Sequence, residues 1–171
     1  MKEHHRIAVR TLVEVVLRAG DLDMRFSAPG RLLDGMRAHR MLQEQRLEGF
    51  RAEVPVSLEV ERSDMVLVVS GRIDGVHETE AGVVVEEIKT TTRDLEAVAN
   101  APDPCHWGQV KAYAFLLATM RQLPALTVRL TYYHLDSGKT VTLDESLTDQ
   151  ALGAFFHDLI DRYLAWAATL S

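Results

Sequence analysis

Two carboxylates and a lysine have the types and spacing to carry out chemistry. Asp74 lies in the Gly-Arg-Ile-Asp-Gly segment at residues 71–75, and Glu87 and Lys89 follow a run of three valines. Both segments have strand composition, and the polar residues between them are typical of a hairpin turn. With the turn centred between residues 80 and 81, Asp74 lies opposite Glu87, with Cα atoms about 4.5–5.5 Å apart. A shift of one residue would place one carboxylate on the other face.

Opposed carboxylates repel each other unless a positive charge lies between them. Oxygen ligands on neighbouring strands suit Mg²⁺ or Mn²⁺, so a divalent metal is the expected partner. Lys89, two residues after Glu87, projects from the same face and can orient a water molecule or stabilise charge on a phosphoryl group. Charged pairs on an exposed sheet face are common, but the valine run favours a buried strand and therefore a site.

The elements that position these residues follow from periodicity and from turn residues. Pro55 predicts that the first long strand is an edge or bulged strand. The second helix is expected to bury Leu32, Leu33, Met36 and Leu47. The order ααβββαββα indicates an α/β fold with a mixed central sheet flanked by helices. Helices are predicted at residues 8–19, 31–47, 103–123 and 148–169, and strands at residues 52–61, 65–76, 83–91, 126–135 and 140–143.

Length and composition exclude several classes of protein. With 171 residues, of which 47% are hydrophobic and 26% charged, residues 1–171 are expected to form one soluble domain. No apolar run approaches the ~20 residues of a membrane span, and the polar N-terminus does not resemble a signal peptide. Cys105, the single cysteine, cannot form an internal disulfide or hold an iron–sulfur cluster. A reducing, cytoplasmic environment is expected.

The charge is unevenly distributed. The chain carries a net charge of −6, yet residues 25–51 contain six arginines against three carboxylates. This arginine stripe is either a solvated helix face or a local contact surface for a polyanion on an acidic body. Its members are Arg25, Arg31, Arg37, Arg40, Arg46 and Arg51.

The hairpin resembles the active-site core of the PD-(D/E)XK nuclease superfamily, in which an acidic residue on one strand precedes (D/E)-x-K on the next. Asp74 and Glu87-Ile88-Lys89 match that signature. The segment at residues 71–75 resembles the RecB-like branch more specifically. Gln109-Val110-Lys111-Ala112-Tyr113 is similar to its Gln-x-x-x-Tyr motif, and residues 35–39 are similar to its upstream glycine and histidine.

The resemblance implies roles for individual residues. Asp74, Glu87 and the backbone carbonyl of Ile88 would bind Mg²⁺ or Mn²⁺, with His39 as an additional ligand. A single histidine on a helix has a structural role as often as it binds a metal, so both roles stay open for His39. Lys89 would orient water or stabilise the phosphate.

Other positions fit the same interpretation, although some of them have a structural explanation as well. Gln109 and Tyr113 share a helix face and either contact the DNA backbone, brace Lys89 or form an ordinary polar patch. Arg37 and Arg40 are candidate phosphate contacts. Glu53 would approach a second metal through water, or be a solvated charge on an edge strand. No role is predicted for His4, His5, His106 and Cys105.

The expected function is a metal-dependent deoxyribonuclease without an iron–sulfur cluster. RecB-like relatives suggest exonuclease or flap-type action on DNA ends or single strands in repair or recombination. Residues 9–23 resemble the nuclease region of bacterial helicases of the XPD/DinG type, and the chain has no Walker A motif, so a helicase would be a separate domain or chain. The competing hypothesis is a non-catalytic DNA-binding or adaptor domain that serves a helicase.

Overall fold

A mixed six-stranded β-sheet with helices packed on it forms the fold. The structure is a computed structural model, and it describes residues 1–18 and 29–170. Its elements, in chain order, are β1 (Glu3–Ala8), α1 (Val9–Leu17), α2 (Pro29–Glu44), β2 (Phe50–Arg62), β3 (Met65–Thr79), β4 (Gly82–Thr91), α3 (Leu95–Asn100), α4 (Pro104–Arg121), β5 (Ala125–His134), β6 (Thr140–Thr148) and α5 (Asp149–Ala168). The predicted α/β class, with a mixed sheet flanked by helices, is therefore confirmed.

Strand β3 organises the sheet because it pairs with three other strands. One edge is paired with β2 along almost its whole length. The other edge is shared: β1 pairs in parallel with residues 65–70, and β4 pairs antiparallel with residues 75–79. Within the described chain, residues 71–74 therefore have no strand on that second edge. Strands β5 and β6 extend the sheet beyond β4.

Helix α4 covers the sheet and is itself covered by α1 and α5. Its buried residues point in several directions around the helix, since it lies between the sheet and two other helices. The Asp103 side chain accepts a hydrogen bond from the Cys105 N–H, and Pro104 occupies the first turn, so the start of the helix is fixed locally. The helix that carries Gln109 and Tyr113 is therefore rigidly placed against the strands.

Several element predictions need correction. Strand β1 and helix α3 were not predicted, β6 continues to Thr148, and α2 ends at Glu44. The most informative error concerns α2, because the apolar residues expected to face the core do not face it. The side of α2 that packs against the sheet instead carries Ala38 and Leu42. The four residues expected to be buried are exposed: Leu32, Leu33, Met36 and Leu47.

Two predictions reach residues outside the described ranges. These are the last position of the helix predicted at residues 8–19 and Arg25 of the arginine stripe. Among the helices that the structure does describe, none has both the length and the apolar character needed to cross a bilayer.

Candidate active site

The site lies where β3 and β4 separate. Val76 pairs with Val85 and Gly75 with Glu86, which is the alignment expected from the turn, and Asp74 and Glu87 are the next residues along it. There the backbone ladder stops. The Ile88 N–H donates instead to the Asp74 carboxylate, with 2.7 Å between Ile88 N and Asp74 Oδ2. Asp74 therefore fills the fork between the strands with a carboxylate that is 8% exposed.

Glu87 is buried beside Asp74 and lacks a full set of partners. Its Oε1 lies 3.6 Å from Lys89 Nζ, and its Oε2 is buried without a hydrogen bond. Burial, and next the negative charge of Asp74, raise the pKa of Glu87 well above its ordinary value. A buried carboxylate oxygen without a donor is what a cation ligand looks like before a cation binds.

Asp74 has the opposite electrostatic behaviour. Burial by itself would raise its pKa, but the contacts with His39 and with the neighbouring Glu87 carboxyl group, and then with the Ile88 N–H, hold the pKa of Asp74 below its ordinary value. Asp74 therefore holds its negative charge more firmly than Glu87 does. Two neighbouring carboxyl groups with pKa values pushed apart are typical of functional sites.

Helix α2 brings His39 into the fork. Its Nε2 lies 3.1 Å from Asp74 Oδ2 and 3.1 Å from the carbonyl oxygen of Ile88. The hydrogen bond to Asp74 raises the pKa of His39, against the effect of burial. Three of the atoms that the family resemblance assigned to metal binding thus converge on one point.

Glu53 joins the same group from β2. Donor atoms of His39, Glu53 and Asp74 all lie within 4.8 Å of one another. Glu53 falls opposite Asp74 between two paired positions, but it does not pair, and its φ of 55° is in the left-handed region. This conformation turns the Glu53 carboxylate toward the fork, although the residue itself is exposed.

Gln109 and Tyr113 lie on the side of α4 that faces the strands. Lys89 Nζ donates to Gln109 Oε1 at 2.7 Å, so Gln109 braces the lysine. Tyr113 packs so tightly against Gly71 that a Cβ there would lie 2.5 Å from the ring. Both side chains are buried, which favours support of the active site over contact with DNA.

The arginine stripe separates into paired and unpaired members. Arg31 forms an ion pair with Asp136, and Arg46 with the buried Glu86. Arg37 and Arg40 are exposed and line a depression of about 320 Å³ along α2. They have no ion pair with any described residue, and the same is true of the exposed Arg51, so these three members of the stripe are available to a polyanion.

Sequence reasoning missed three features of the site. Gln43, one turn after His39, donates to Glu53, and only its helical spacing from His39 could have suggested this. A buried cluster joins Glu86 to Arg46, His77 and Thr131, on the face of β4 opposite Glu87.

His106 is the third of these features. Its Nδ1 lies 2.8 Å from the Tyr132 hydroxyl oxygen. Burial, and next the positive charge of Lys89, lower the pKa of His106 to about 4. It therefore remains neutral at neutral pH, one turn before Gln109 on α4.

Comparison with known proteins decides the family. The family model described as "PD-(D/E)XK nuclease superfamily" matches residues 3–169. The chain belongs to the PD-(D/E)XK nuclease superfamily.

Several solved structures are also similar to this member of the nuclease superfamily. One described as "Crystal structure of SSO0001" is 25% identical, with a TM-score of 0.59, over 94% of this chain and 77% of that one. Rai1 from Candida albicans, in complex with pU5-Mn2+, is 10% identical, with a TM-score of 0.29, over 68% and 34% of the two chains. Rai1 from Scheffersomyces stipitis, with (3'-NADP)+ and calcium ion, is 12% identical, with a TM-score of 0.29, over 68% and 32%. No curated protein matches the chain.

The residues at the fork of this PD-(D/E)XK domain fit a hard divalent cation. They offer carboxylate and imidazole ligands and a backbone carbonyl, which suit Mg²⁺ and Mn²⁺. The Glu87 Oε2 atom, which has no hydrogen-bond partner, is a further oxygen that could bind a cation at the fork.

Proposed function

We propose that this chain is a Mg²⁺- or Mn²⁺-dependent deoxyribonuclease that hydrolyses phosphodiester bonds. The observation that carries the proposal is the convergence of His39, Glu53 and Asp74 donor atoms within 4.8 Å, beside the buried Glu87 and Lys89. The superfamily supports nuclease chemistry, and the unpaired Arg37 and Arg40 support a polyanionic substrate.

His39, Asp74, Glu87 and the Ile88 carbonyl would hold the metal, with Glu53 as a further ligand. When bound, the cation supplies Lewis-acid polarisation of the phosphate and lowers the pKa of a coordinated water. The remaining work falls to the protein. The carboxylates would fix the geometry of the site.

Lys89 would be the water-orienting group. It has three N–H donors, and Gln109 accepts one of them at 2.7 Å. The others are available to a water molecule or a phosphate oxygen. In the reaction, the water oxygen bonds to phosphorus, the bond from phosphorus to the 3′ oxygen breaks, and the leaving oxygen takes a proton. Lys89 would stabilise the charge that develops on the phosphoryl oxygens.

The finer features of the proposal rest on the motifs. Gly-Arg-Ile-Asp-Gly, Gln-x-x-x-Tyr and the upstream histidine favour the RecB-like branch and hence action on DNA ends or single strands, in repair or recombination. Residues 9–23 favour association with a helicase of the XPD/DinG type. We further propose that residues 1–171 fold as one domain, because α1 and α5, from opposite ends of the sequence, both pack on α4.

The test is cleavage of end-labelled and circular single-stranded DNA, duplex DNA and RNA, with Mg²⁺, Mn²⁺ or chelator. We expect metal-dependent cleavage of linear DNA by the wild type and none by Asp74→Asn. Gln45→Met, a change at an exposed position of the segment after α2, serves as the matched control. Binding of metal and DNA without cleavage of any substrate would instead support the adaptor hypothesis.

A further inference from the structure

Gln43 connects the two strands that carry carboxylates. Its side-chain Nε2 donates to Glu53 Oε1 at 2.9 Å and to the backbone oxygen of Asp74 at 2.9 Å. A carboxamide NH₂ has two hydrogens, so both are used. Gln43 lies one turn after His39 on α2, and the same helix face therefore supplies a metal-ligand candidate and this bridge.

The Glu53 side chain depends on a contact from another element of the fold for its position. It is exposed, it does not pair with Asp74 across the strands, and its φ of 55° is unusual for a residue with a side chain. An exposed glutamate normally samples several rotamers, and fixing one costs conformational entropy. The hydrogen bond from Gln43 selects one rotamer before any cation arrives.

We propose that Gln43 is a positioning residue of the metal centre, which acts by fixing the Glu53 carboxylate beside His39 and Asp74. This inference rests on the proposed metal-dependent function. Since a carboxylate has two oxygens, the hydrogen bond to Oε1 leaves the other oxygen for a cation. Residues that orient metal ligands typically contribute about 10- to 100-fold to metal affinity.

The alternative is that Gln43 only stabilises the fold by tying α2 to β2 and β3. The two roles differ in what they predict. A purely structural contact affects the stability of the metal-free protein and leaves metal affinity unchanged. A positioning role affects metal affinity, and it does so only while Glu53 is present.

The experiment measures Mn²⁺ affinity by calorimetry, and the melting temperature of the metal-free protein, for the whole chain. The variants are Gln43→Met, which keeps the volume and helix preference but removes both hydrogen bonds, and Gln45→Met as the matched control. Glu53→Ala and the Gln43→Met/Glu53→Ala double variant complete a cycle. Gln43→Ala replaces Gln43→Met if the latter does not fold.

We expect Gln43→Met to weaken Mn²⁺ binding about tenfold or more. Gln45→Met should bind like the wild type, and Gln43→Met should have no further effect once Glu53 is alanine. Wild-type affinity in Gln43→Met, or an equal loss with and without Glu53, would overturn the inference while leaving the proposed function standing. Failure of the wild type to bind Mn²⁺ would overturn both.

Discussion

The Asp74 carboxylate accepts a hydrogen bond from the Ile88 N–H, with 2.7 Å between the nitrogen and Oδ2. One side chain thus replaces a backbone acceptor at the point where two strands of the sheet separate. The same oxygen lies 3.1 Å from His39 Nε2. Asp74 therefore has a structural task and a proposed catalytic task, and the two can be separated by the choice of substitution.

Asp74→Ala and Asp74→Asn are expected to differ in stability but not in activity. Alanine leaves the buried Ile88 N–H without an acceptor, which costs about 1–3 kcal/mol of unfolding free energy. Asparagine keeps an acceptor oxygen and should stay closer to the wild type. Both should lose metal-dependent cleavage. Urea denaturation of the metal-free proteins checks the stabilities. Equal stability of Asp74→Ala and the wild type would argue against a structural role for this hydrogen bond.

Lys89→Met is expected to reduce cleavage about 100-fold or more while Mn²⁺ binding persists, because the lysine is proposed to stabilise developing charge and not to hold the metal. Single-turnover cleavage and calorimetry measure the two effects separately. Lys139→Met, at an exposed position, is the matched control. Cleavage at the wild-type rate by Lys89→Met would show that the role assigned to Lys89 is wrong.

Arg37→Gln and Arg40→Gln are each expected to weaken DNA binding without changing Mn²⁺ affinity. A phosphate contact contributes about 0.7–0.9 to the slope of log affinity against log salt, so each variant should reduce the slope by about that amount. DNA binding is measured in Ca²⁺ over a range of salt. Arg162→Gln, on α5, controls for net charge. Unchanged slopes would exclude these two arginines from the DNA contact.

The decrease in unfolding free energy at acidic pH should depend on His106. Burial and the charge of Lys89 lower its pKa to about 4, whereas an unfolded histidine titrates near 6.5. Between these pH values the histidine is protonated in the unfolded state but neutral in the folded state. The stability that the neutral, buried His106 contributes is therefore fully present above about pH 6.5 and is lost as the pH falls toward 4.

His106→Gln should therefore flatten the decline in unfolding free energy between about pH 6.5 and 4, by as much as about 3 kcal/mol. Glutamine keeps a polar group near the Tyr132 hydroxyl but does not titrate. Urea denaturation at a series of pH values measures the difference between variant and wild type. Parallel profiles for the two proteins would show that the protonation of His106 is not linked to folding.

The long helices and central strands could be predicted from local patterns, but two kinds of element could not. Strand β1 is mostly exposed and polar, with only Ile7 buried, so it lacks the alternation that identifies a strand. It pairs in parallel with residues 65–70 of β3, which lie about sixty positions later in the sequence. The buried side of α2 differs from the prediction because Ala38 and Leu42 face the sheet, while Leu32, Leu33 and Met36 are exposed.

The sequence by itself determined the hairpin register and hence the approach of Asp74 to Glu87, because a short turn and a period of two leave little freedom within about fourteen residues. It also indicated His39, through the motif. Only the tertiary structure decided that Glu53 and Gln43 join them. Their positions depend on the crossing of α2 with β2 and β3 and on a left-handed residue at Glu53, and no local pattern encodes contacts between such separate segments.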